Sequence, residues 1–435
     1  MTFFILSIVS IAIVALLLLL VLVEPGLPYR VKPPRMSIDS DGFLCLLGAM
    51  ADAKVHHYSR MEVHTNGRDF FEAELEAIGK AQRSVHLEAY IFHPSPIADR
   101  FLEALTERAR SGVKVKMVID AIGSFTTPNR YFDALRDAGG RVEWYQPIRW
   151  YLLKRLNNRT HRELMVIDGE MGFIGGAGIA SHWIEGDKPS LLRPVGPAWR
   201  DTVCQLSGDL VTGLQSTFAE NWLESSGNVL SGEDCFPICK CGGPPPPADA
   251  SQPSGLVIMS TPSAARSTRA RMVFQILLAC ARKSIHINSP YFVPDRSAVG
   301  ELVRAVGRGV EVKVITPGKF NNHPITRILS RRRYGKLLEA GVRIFEYQPA
   351  MIHRKIMIID GLWSVVGSTN FDNRSFGLND EVNLVAVDPA LARRLESDFE
   401  RDLAESTPIT LAQWRRRPLT ERILAMVFRP FERQQ

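Results

Sequence analysis

The distribution of hydrophobic and polar positions first predicts an N-terminal membrane helix. Residues 2–23 contain no charged side chain and consist almost entirely of Leu, Ile, Val, Ala and Phe, a run long enough to cross the hydrocarbon core of a bilayer. No basic residue precedes this run and no small-x-small cleavage site follows it, so a retained anchor is favoured over a cleaved signal peptide. Arg30, Lys32 and Arg35 follow the run, and the positive-inside rule then places the bulk of the chain in the cytoplasm.

Beyond residue 60, amphipathic helical patterns alternate with short apolar runs that are typical of strands, and the order of these patterns occurs twice. The paired segments are Ser84–Phe92 with Ser284–Phe292, Arg110–Ile119 with Gly307–Ile315, and Asp137–Pro147 with Leu338–Pro349. Helix–Gly–strand units repeated in one order predict an α/β fold of two similar βαβ halves, with mixed or parallel sheets covered by helices.

A break rich in proline and glycine separates the halves. Residues 241–255 include four consecutive prolines, which cannot continue a helix or a central strand. The predicted organisation is an anchor at 2–23, a connector at 24–60, a first half at 61–230, a Cys/Pro/Gly-rich linker at 231–255, a second half at 256–410 and a basic C-terminal segment at 411–435.

The charge of the chain indicates which kind of molecule it binds. The net charge of +7 and the isoelectric point near 9.1 favour anionic partners, either nucleic acid or acidic lipid. Basic and aromatic residues interleave at 149–156 and at 414–431, and Arg331–Arg333 form a third basic cluster. Solvated helix faces would explain each cluster singly, but together with an anchor they favour an acidic membrane surface.

The six cysteines do not change the picture. Cys235, Cys239 and Cys241 form a C-x3-C-x-C cluster, and a zinc site would need a fourth ligand that does not lie nearby in the sequence. Free thiols in a reducing compartment are therefore favoured.

The candidate chemistry lies in the second half. His353 and Lys355 are two residues apart before an apolar run, so on a strand both side chains project from one face. Asp360 follows at the turn, and Ser368 and Asn370 follow Gly367 on the next strand or loop. This set suits a phosphate, with His353 as nucleophile or acid–base, Lys355 as an electrostatic clamp, and Ser368 and Asn370 as donors to non-bridging oxygens.

A hydrogen-bonded structural histidine is the alternative explanation, and the length of the pattern argues against it. A related copy occurs in the first half, where His161, Glu163 and Asp168 stand at the corresponding positions.

The His-x-Lys-x4-Asp pattern with its following Gly-Ser-x-Asn resembles the motif of the phospholipase D superfamily, and in particular that of bacterial cardiolipin synthases. The resemblance extends over roughly residues 70–406. It implies that the two halves pack around a pseudo-two-fold axis and bring one motif each to a shared cleft. It also implies that one histidine forms a covalent phosphohistidine while the other exchanges protons with the alcohols, and that no metal or other cofactor is required.

Carried onto this chain, the resemblance makes the catalytic set His161, Asp168, His353, Lys355 and Asp360, with Ser368 and Asn370 binding substrate. The aspartates are expected to orient or support the site. The expected location is a bacterial inner membrane, with a single span and a cytoplasmic catalytic part.

The first half departs from the family motif at two positions. Glu163 stands in place of lysine and Gly178 in place of the asparagine. A carboxylate there would repel an anionic phosphodiester, at about 4 kcal/mol per unit charge pair about 4 Å apart in an effective dielectric near 20. Arg159 or Arg162 could neutralise Glu163, and lower activity, a different substrate or a pseudoenzyme all stay open.

The same carboxylate predicts a division of labour between the histidines. A negative charge beside His161 would hold a proton on that imidazole, which makes His161 the acid and His353 the nucleophile. On this hypothesis, replacing Glu163 by lysine should raise the rate of phosphatidyl transfer.

Four functions are consistent with the sequence. The leading hypothesis is transfer of a phosphatidyl group between alcohols, forming cardiolipin from phosphatidylglycerol or a similar anionic phospholipid. Hydrolysis of the same bond by a phospholipase D is the second. A nucleic-acid phosphodiesterase is disfavoured by the anchor and by the lack of a nucleic-acid module, so no nucleic-acid partner is expected. An impaired, lipid-binding homologue is the fourth, because of Glu163.

Overall fold

The computed structural model of the protein describes residues 9–10, 30–57, 59–148, 157–186, 196–237, 253–262 and 268–434. All but Val9 and Ser10 of the predicted anchor lie outside these residues. Within the described ranges, none of the helices is both long and apolar enough to cross a membrane.

The first half is built on a seven-stranded sheet with the strand order β2-β8-β7-β6-β3-β4-β5. Its strands pair in parallel between β3, β4 and β5 and antiparallel elsewhere. The elements up to the linker are α1 (Asp41–Ala51), β1 (His56–His57), β2 (Arg60–Thr65), α2 (Gly67–Lys80), β3 (Ser84–Ala89), α3 (Pro96–Arg110), β4 (Lys114–Asp120), α4 (Asp133–Asp137), β5 (Arg141–Tyr145), β6 (Leu164–Ile167), β7 (Met171–Gly175), β8 (Thr202–Ser207) and α5 (Leu210–Ser226).

The second half carries a nine-stranded sheet with the order β1-β9-β15-β14-β13-β10-β11-β12-β16. Its seven inner strands reproduce the order and the directions of the first sheet, and β1 and β16 are added at the edges. Its elements are β9 (Ser254–Ser260), α6 (Arg269–Cys280), β10 (Ser284–Asn288), α7 (Arg296–Gly307), β11 (Glu311–Pro317), α8 (Pro324–Ala340), β12 (Arg343–Tyr347), β13 (Ile356–Ile359), β14 (Trp363–Gly367), β15 (Glu381–Val387), α9 (Pro389–Ala404), β16 (Ser406–Ile409), α10 (Leu411–Arg415) and α11 (Leu419–Val427).

Three hydrophobic cores hold these elements in layers. One core lies under the outer helices of the first sheet and another under those of the second. The third lies between the two sheets, where α5 and α9 bury apolar side chains from both halves. Burial of strands on both faces explains their continuous apolar runs, as in Leu164–Ile167 and Ile356–Ile359. The predicted α/β fold of two similar halves is thus confirmed, and both sheets are mixed.

The segment before the first half packs against the second half. Strand β1 pairs with β9, and the ring of Phe43 in α1 contacts Trp363 at a centroid distance of 5.5 Å. The indole nitrogen of Trp363 also donates to the carbonyl of Ile38 at 2.8 Å. Residues 30–57 are therefore a folded part of the second half rather than an extended linker.

Candidate active site

His353 lies just before β13 and is almost completely buried at the junction of the two halves. Its ring nitrogen Nδ1 donates to the carboxylate of Asp201 at 2.9 Å, and Asp201 comes from the first half. Because the proton is on Nδ1, the other ring nitrogen, Nε2, carries the lone pair and points away from Asp201. Burial, together with the charge of Lys355, lowers the pKa of His353 to about 4, so the imidazole is neutral at neutral pH.

His161 occupies the corresponding position before β6 and has the reciprocal arrangement. Its Nδ1 lies 3.1 Å from both carboxylate oxygens of Glu381, a buried residue of the second half. The hydroxyl of Ser368 donates to the same carboxylate. Each histidine is thus oriented by a carboxylate that the other half supplies.

Backbone hydrogen bonds between the halves fix this crosswise arrangement. The amide of His353 donates to the carbonyl of Arg200 at 2.7 Å, and the amide of His161 donates to the carbonyl of Asp380 at 2.9 Å. Arg200 and Asp380 immediately precede the carboxylates Asp201 and Glu381. The site therefore exists only when the two halves are assembled.

Lys355 is the cation at this junction. Its amine donates to the carbonyl of His353 at 2.7 Å and lies 3.2 Å from Nε2 of the same residue. Burial lowers the pKa of Lys355 to about 8, and the carboxylates of Asp201, Glu381 and Glu163 oppose that effect. The amine therefore lies against both nitrogens of the His353 ring, 2.9 Å from Nδ1 and 3.2 Å from Nε2.

Two glycines of the first half make room for this lysine and for Glu163. A Cβ atom added to Gly176, which corresponds to Ser368, would lie 2.8 Å from Cδ of Lys355 and 3.0 Å from its amine. A Cβ added to Gly178, which corresponds to Asn370, would lie 2.9 Å from Oε1 of Glu163. The two positions at which the first half departs from the motif, Glu163 and Gly178, are therefore neighbours in space. The cleft is asymmetric because the first half has a glutamate and glycines where the second half has Lys355, Ser368 and Asn370.

Glu163 is buried and its carboxylate accepts the amide of Ile91 at 3.3 Å. Burial raises the pKa of Glu163 well above its ordinary value, which favours the neutral carboxylic acid. Burial therefore works against the charged form that was expected to repel a phosphate. The carboxylate that contacts His161 is Glu381, not Glu163.

Neither arginine pairs with Glu163, which corrects the expected neutralisation. Arg159 donates to Asp120 at 2.9 Å, and Arg162 donates to Glu220 and to the carbonyl of Thr217. Both arginines are buried and their guanidinium groups are engaged by these other partners.

The motif aspartates lie at the far ends of β6 and β13 from the histidines. Asp168 accepts three backbone amides at the start of β3, and Asp360 accepts the three equivalent amides at the start of β10. Both aspartates have positive φ, at 55° and 58°. The structure does not bring them to the histidines, and their contacts are those of residues that close a turn and fix the strand register.

The two predicted phosphate donors lie at the end of β14. Ser368 contacts Glu381 as described, and the side chain of Asn370 is buried while its amide oxygen has no partner among the described residues. Asp372, two residues further along the chain, is also buried, which raises its pKa to about 6. The unpaired atom of Asn370 is therefore an acceptor, and its NH2 group is the only part of the side chain that could donate to a phosphate oxygen.

Sequence reasoning missed Asp201 and Glu381. A signal for them exists, because each acidic residue begins or immediately precedes the last inner strand of its half, in Asp201-Thr-Val-Cys-Gln-Leu206 and Glu381-Val-Asn-Leu384. This is a fifth pair of corresponding segments in the two halves. The tryptophans that contact His353 were also missed, with ring centroids 5.7 Å away for Trp183 and 5.2 Å for Trp199.

Among the described residues, one group of potential metal ligands lies outside this site. Ligand atoms of His286, Glu396 and Glu400 lie within 4.8 Å of one another, but the amine of Lys313 is 3.4 Å from Glu400 and already supplies a cation. Cys235 is a free thiol with Sγ 3.9 Å from Nε2 of His86, while the rest of the predicted cysteine cluster lies outside the described residues.

Comparison with known proteins adds an independent finding. A family profile described as "Cardiolipin synthase, PLD-like domain" matches residues 75–187 and 275–403, one match in each half. A cardiolipin synthase from Geobacillus sp. strain WCH70 is 33% identical over 84% of this chain and 70% of its own length. Cardiolipin synthase A from Pseudomonas aeruginosa is 35% identical over 81% of this chain and 68% of its own length.

Solved structures show the same fold at lower identity. Phosphatidylserine synthase from Haemophilus influenzae aligns with a TM-score of 0.66 at 14% identity, over 89% of this chain and 97% of that protein. Polyphosphate kinase from Porphyromonas gingivalis aligns with a TM-score of 0.53 at 13% identity, over 94% of this chain and 57% of that protein.

Proposed function

Because this chain belongs to the cardiolipin synthase family of the phospholipase D superfamily, we propose that its two crosswise histidines transfer a phosphatidyl group through a covalent intermediate on His353. The protein is a phosphatidyltransferase of that family. The observation that carries the proposal is the pair of bonds from His353 to Asp201 and from His161 to Glu381.

His353 is the better nucleophile of the two. Its pKa of about 4 leaves the imidazole neutral, and the bond from Nδ1–H to Asp201 leaves the lone pair on Nε2. A carboxylate at Nδ1 also stabilises the positive charge that the ring develops when Nε2 bonds to phosphorus. This assignment matches the order that the sequence favours, although the reason lies in the burial of His353 rather than in a charge on Glu163.

His161 is the proton donor and acceptor in this scheme. Its side chain is 12% exposed, and the buried Glu381 carboxylate at Nδ1 orients the ring. In the first step, Nε2 of His353 attacks phosphorus, the bond from phosphorus to the leaving alcohol oxygen breaks, and His161 gives that oxygen its proton. In the second step, His161 takes the proton of an incoming hydroxyl, whose oxygen bonds to phosphorus as the phosphorus–nitrogen bond breaks.

Lys355 and Asn370 bind the phosphate in this scheme. The amine of Lys355 lies beside Nε2 of His353, where it offsets charge on the non-bridging oxygens. The NH2 group of the buried Asn370 side chain is the proposed donor to a non-bridging oxygen, and Ser368 holds Glu381 in place.

Phosphatidylglycerol is the proposed donor and acceptor, with cardiolipin and glycerol as products. Transfer is favoured over hydrolysis because His353 is only 4% exposed and lies against Trp183 and Trp199, surroundings that disfavour a water molecule as acceptor. The proposed location is a bacterial inner membrane, with residues 2–23 as a single span and the catalytic part in the cytoplasm.

The test is lipid analysis after expression in a bacterial host that lacks its own cardiolipin synthases. Appearance of cardiolipin with free glycerol supports transfer, and its absence for His353→Ala, with the variant folded and in the membrane fraction, supports the assigned site. Phosphatidic acid without cardiolipin would instead identify a hydrolase, and near wild-type turnover of the variant would refute the assignment of His353.

The proposed membrane location and orientation of the protein are tested separately. The protein should stay in the membrane fraction after a high-salt wash, because a spanning helix is not held by charge. A C-terminal reporter that is active only outside the cytoplasm should be inactive, and an active one would refute the orientation.

A further inference from the structure

Helix α11 presents an unusually apolar surface to solvent. Five of the thirteen large hydrophobic side chains that are exposed among the described residues lie on these nine residues. Four of them, Leu419, Ile423, Met426 and Val427, are 50% to 70% exposed and follow the spacing of one helix face. This group is called the C-terminal apolar face below. Such a concentration marks an interaction surface rather than scattered surface residues.

The opposite side of the helix fixes it to the second half. Ala425 is buried, and Glu421 forms an ion pair with Arg331 of α8 at 3.0 Å. Before the helix, the indole nitrogen of Trp414 donates to the carbonyl of Arg331 at 2.6 Å. After the helix, Glu432 pairs with Arg332 and Arg333. The helix is therefore held at both ends in one orientation, and its apolar face points outward.

Positive charge surrounds this face. Residues 411–430 contain five arginines and one glutamate, and that glutamate is the one paired with Arg331 on the inner side. Arg416, Arg422 and Arg429 are exposed and form no salt bridge with any described residue. Arg422 is one helical turn before Met426, so a basic side chain borders the apolar face.

We propose that α11 docks on an anionic lipid bilayer, with the C-terminal apolar face inserted among the acyl chains and Arg416, Arg422 and Arg429 against the lipid phosphates. An amphipathic helix with basic borders binds this way, through buried apolar area plus attraction to acidic headgroups. A second copy of the chain fits less well, because a complementary partner would have to be acidic and this helix is basic.

The docked helix is linked to the active site through two short connections. The side chain of Asn373 donates to the carbonyl of Glu432, and Asn373 belongs to the same loop as Asn370. Helix α8, which holds α11, begins at Pro324 after His323, and the ring of His323 contacts Tyr291 at a centroid distance of 5.4 Å. Docking of α11 would therefore hold the rim of the cleft at the membrane surface. The inference extends the proposed function by naming the surface that presents the cleft to its lipid.

The experiment follows amide hydrogen exchange in the full chain reconstituted in vesicles. We expect exchange across residues 419–428 to slow at least tenfold in vesicles containing phosphatidylglycerol, relative to vesicles of phosphatidylcholine alone. Residues 41–51 provide the control, since α1 carries the exposed Met50 without an arginine border, and their exchange should be equal in both vesicles. Equal exchange of 419–428 in both vesicles would overturn the proposal. Protection in detergent that increases with protein concentration would identify a second copy as the occupant, and would also overturn it.

Two sets of variants separate the apolar and basic contributions. Ile423→Gln with Met426→Gln should abolish the difference in exchange, and the matched Met50→Gln should not. Replacing Arg416, Arg422 and Arg429 by glutamine should remove the slower exchange of residues 419–428 in phosphatidylglycerol vesicles, since each basic side chain near such a surface contributes about fivefold to the docking of α11.

Kinetics distinguish this inference from the proposed function. The variants should raise the apparent KM for phosphatidylglycerol in vesicles about tenfold, and should leave turnover of a short-chain, monomeric phosphatidylglycerol within about twofold of the parent. A protein with no transferase activity whose α11 is protected on anionic vesicles would refute the proposed function alone. An active protein with no such protection would refute the docking alone.

Discussion

The imidazole of His353 and the carboxylate of Asp201 are hydrogen-bonded at 2.9 Å although they come from different halves of the chain. The same relationship, with the halves exchanged, joins His161 and Glu381. Each proposed catalytic histidine therefore depends on a residue that its own half does not contain.

The first prediction tests the bond between His353 and Asp201. Asp201→Asn keeps the size of the side chain but removes the charge that stabilises the developing imidazolium, so kcat should fall about 10²- to 10⁴-fold with little change in KM. Asp209→Asn is the matched control, because Asp209 precedes α5 without a side-chain cap bond. Initial rates in mixed micelles provide the measurement, and a kcat within threefold of the parent would exclude a role for Asp201 in orienting His353.

The second prediction concerns pH. Activity requires neutral His353, whose pKa is about 4, and charged Lys355, whose pKa is about 8. Protonation of His353 removes the nucleophile below the first value, and deprotonation of Lys355 removes the cation above the second. The profile of kcat/KM should therefore be bell-shaped with limbs near these values. The pH profile of the residual activity in Lys355→Ala should show no decrease on the alkaline side. A decrease that persists there would mean that a group other than Lys355 causes it.

The free energy of unfolding should also depend on pH, because His353 has different pKa values in the folded and unfolded chain. The folded pKa of about 4 lies below the ordinary value of 6.5, so the unfolded chain takes up a proton first as pH falls. The free energy of unfolding should therefore decrease between about pH 6.5 and pH 4. Comparing urea unfolding of the parent with that of His353→Gln across this range isolates the contribution.

The third prediction concerns Glu163, and the structure reverses the expectation from sequence. Glu163→Gln keeps an acceptor for the amide of Ile91 and resembles the neutral acid, so its kcat should stay within about threefold of the parent. Glu163→Lys would leave that buried amide without its acceptor and place a second ammonium near Lys355. It should lose about 1–3 kcal/mol of stability or more and should not gain activity. A folded lysine variant with a higher rate would show that Glu163 impairs the enzyme.

The fourth prediction separates structural from catalytic aspartates. Asp360→Ala removes the acceptor of three backbone amides and places alanine at a φ of 58°. The free energy of unfolding should fall by about 2–4 kcal/mol, while kcat per folded molecule stays within about threefold. Asp168→Ala is the equivalent change in the first half and should behave alike. A loss of kcat above 100-fold in a fully folded variant would restore a catalytic role for Asp360.

The sequence was sufficient for the two halves, the α/β class and the placement of His161, His353 and Lys355, because strand periodicity and internal repetition are local properties. Asp201 and Glu381 could not be assigned from periodicity, since their partners lie 152 and 220 residues away in the chain. The raised pKa of Glu163 also depends on burial by distant segments. Asp168 and Asp360 lie away from the histidines because a strand separates each histidine from its aspartate in space, although the family motif groups them by sequence.

The packing of residues 30–57 on the second half has a consequence for biosynthesis. The amide of Val31 bonds to Glu301, Trp363 bonds to Ile38, and β1 pairs with β9, so the partners of this early segment are translated roughly 200 to 300 residues after it. Six residues, 24–29, join it to the apolar run at 2–23 and span at most about 20 Å. With residues 2–23 as the proposed membrane span, the second half would fold close to the bilayer, onto a segment that is translated before it.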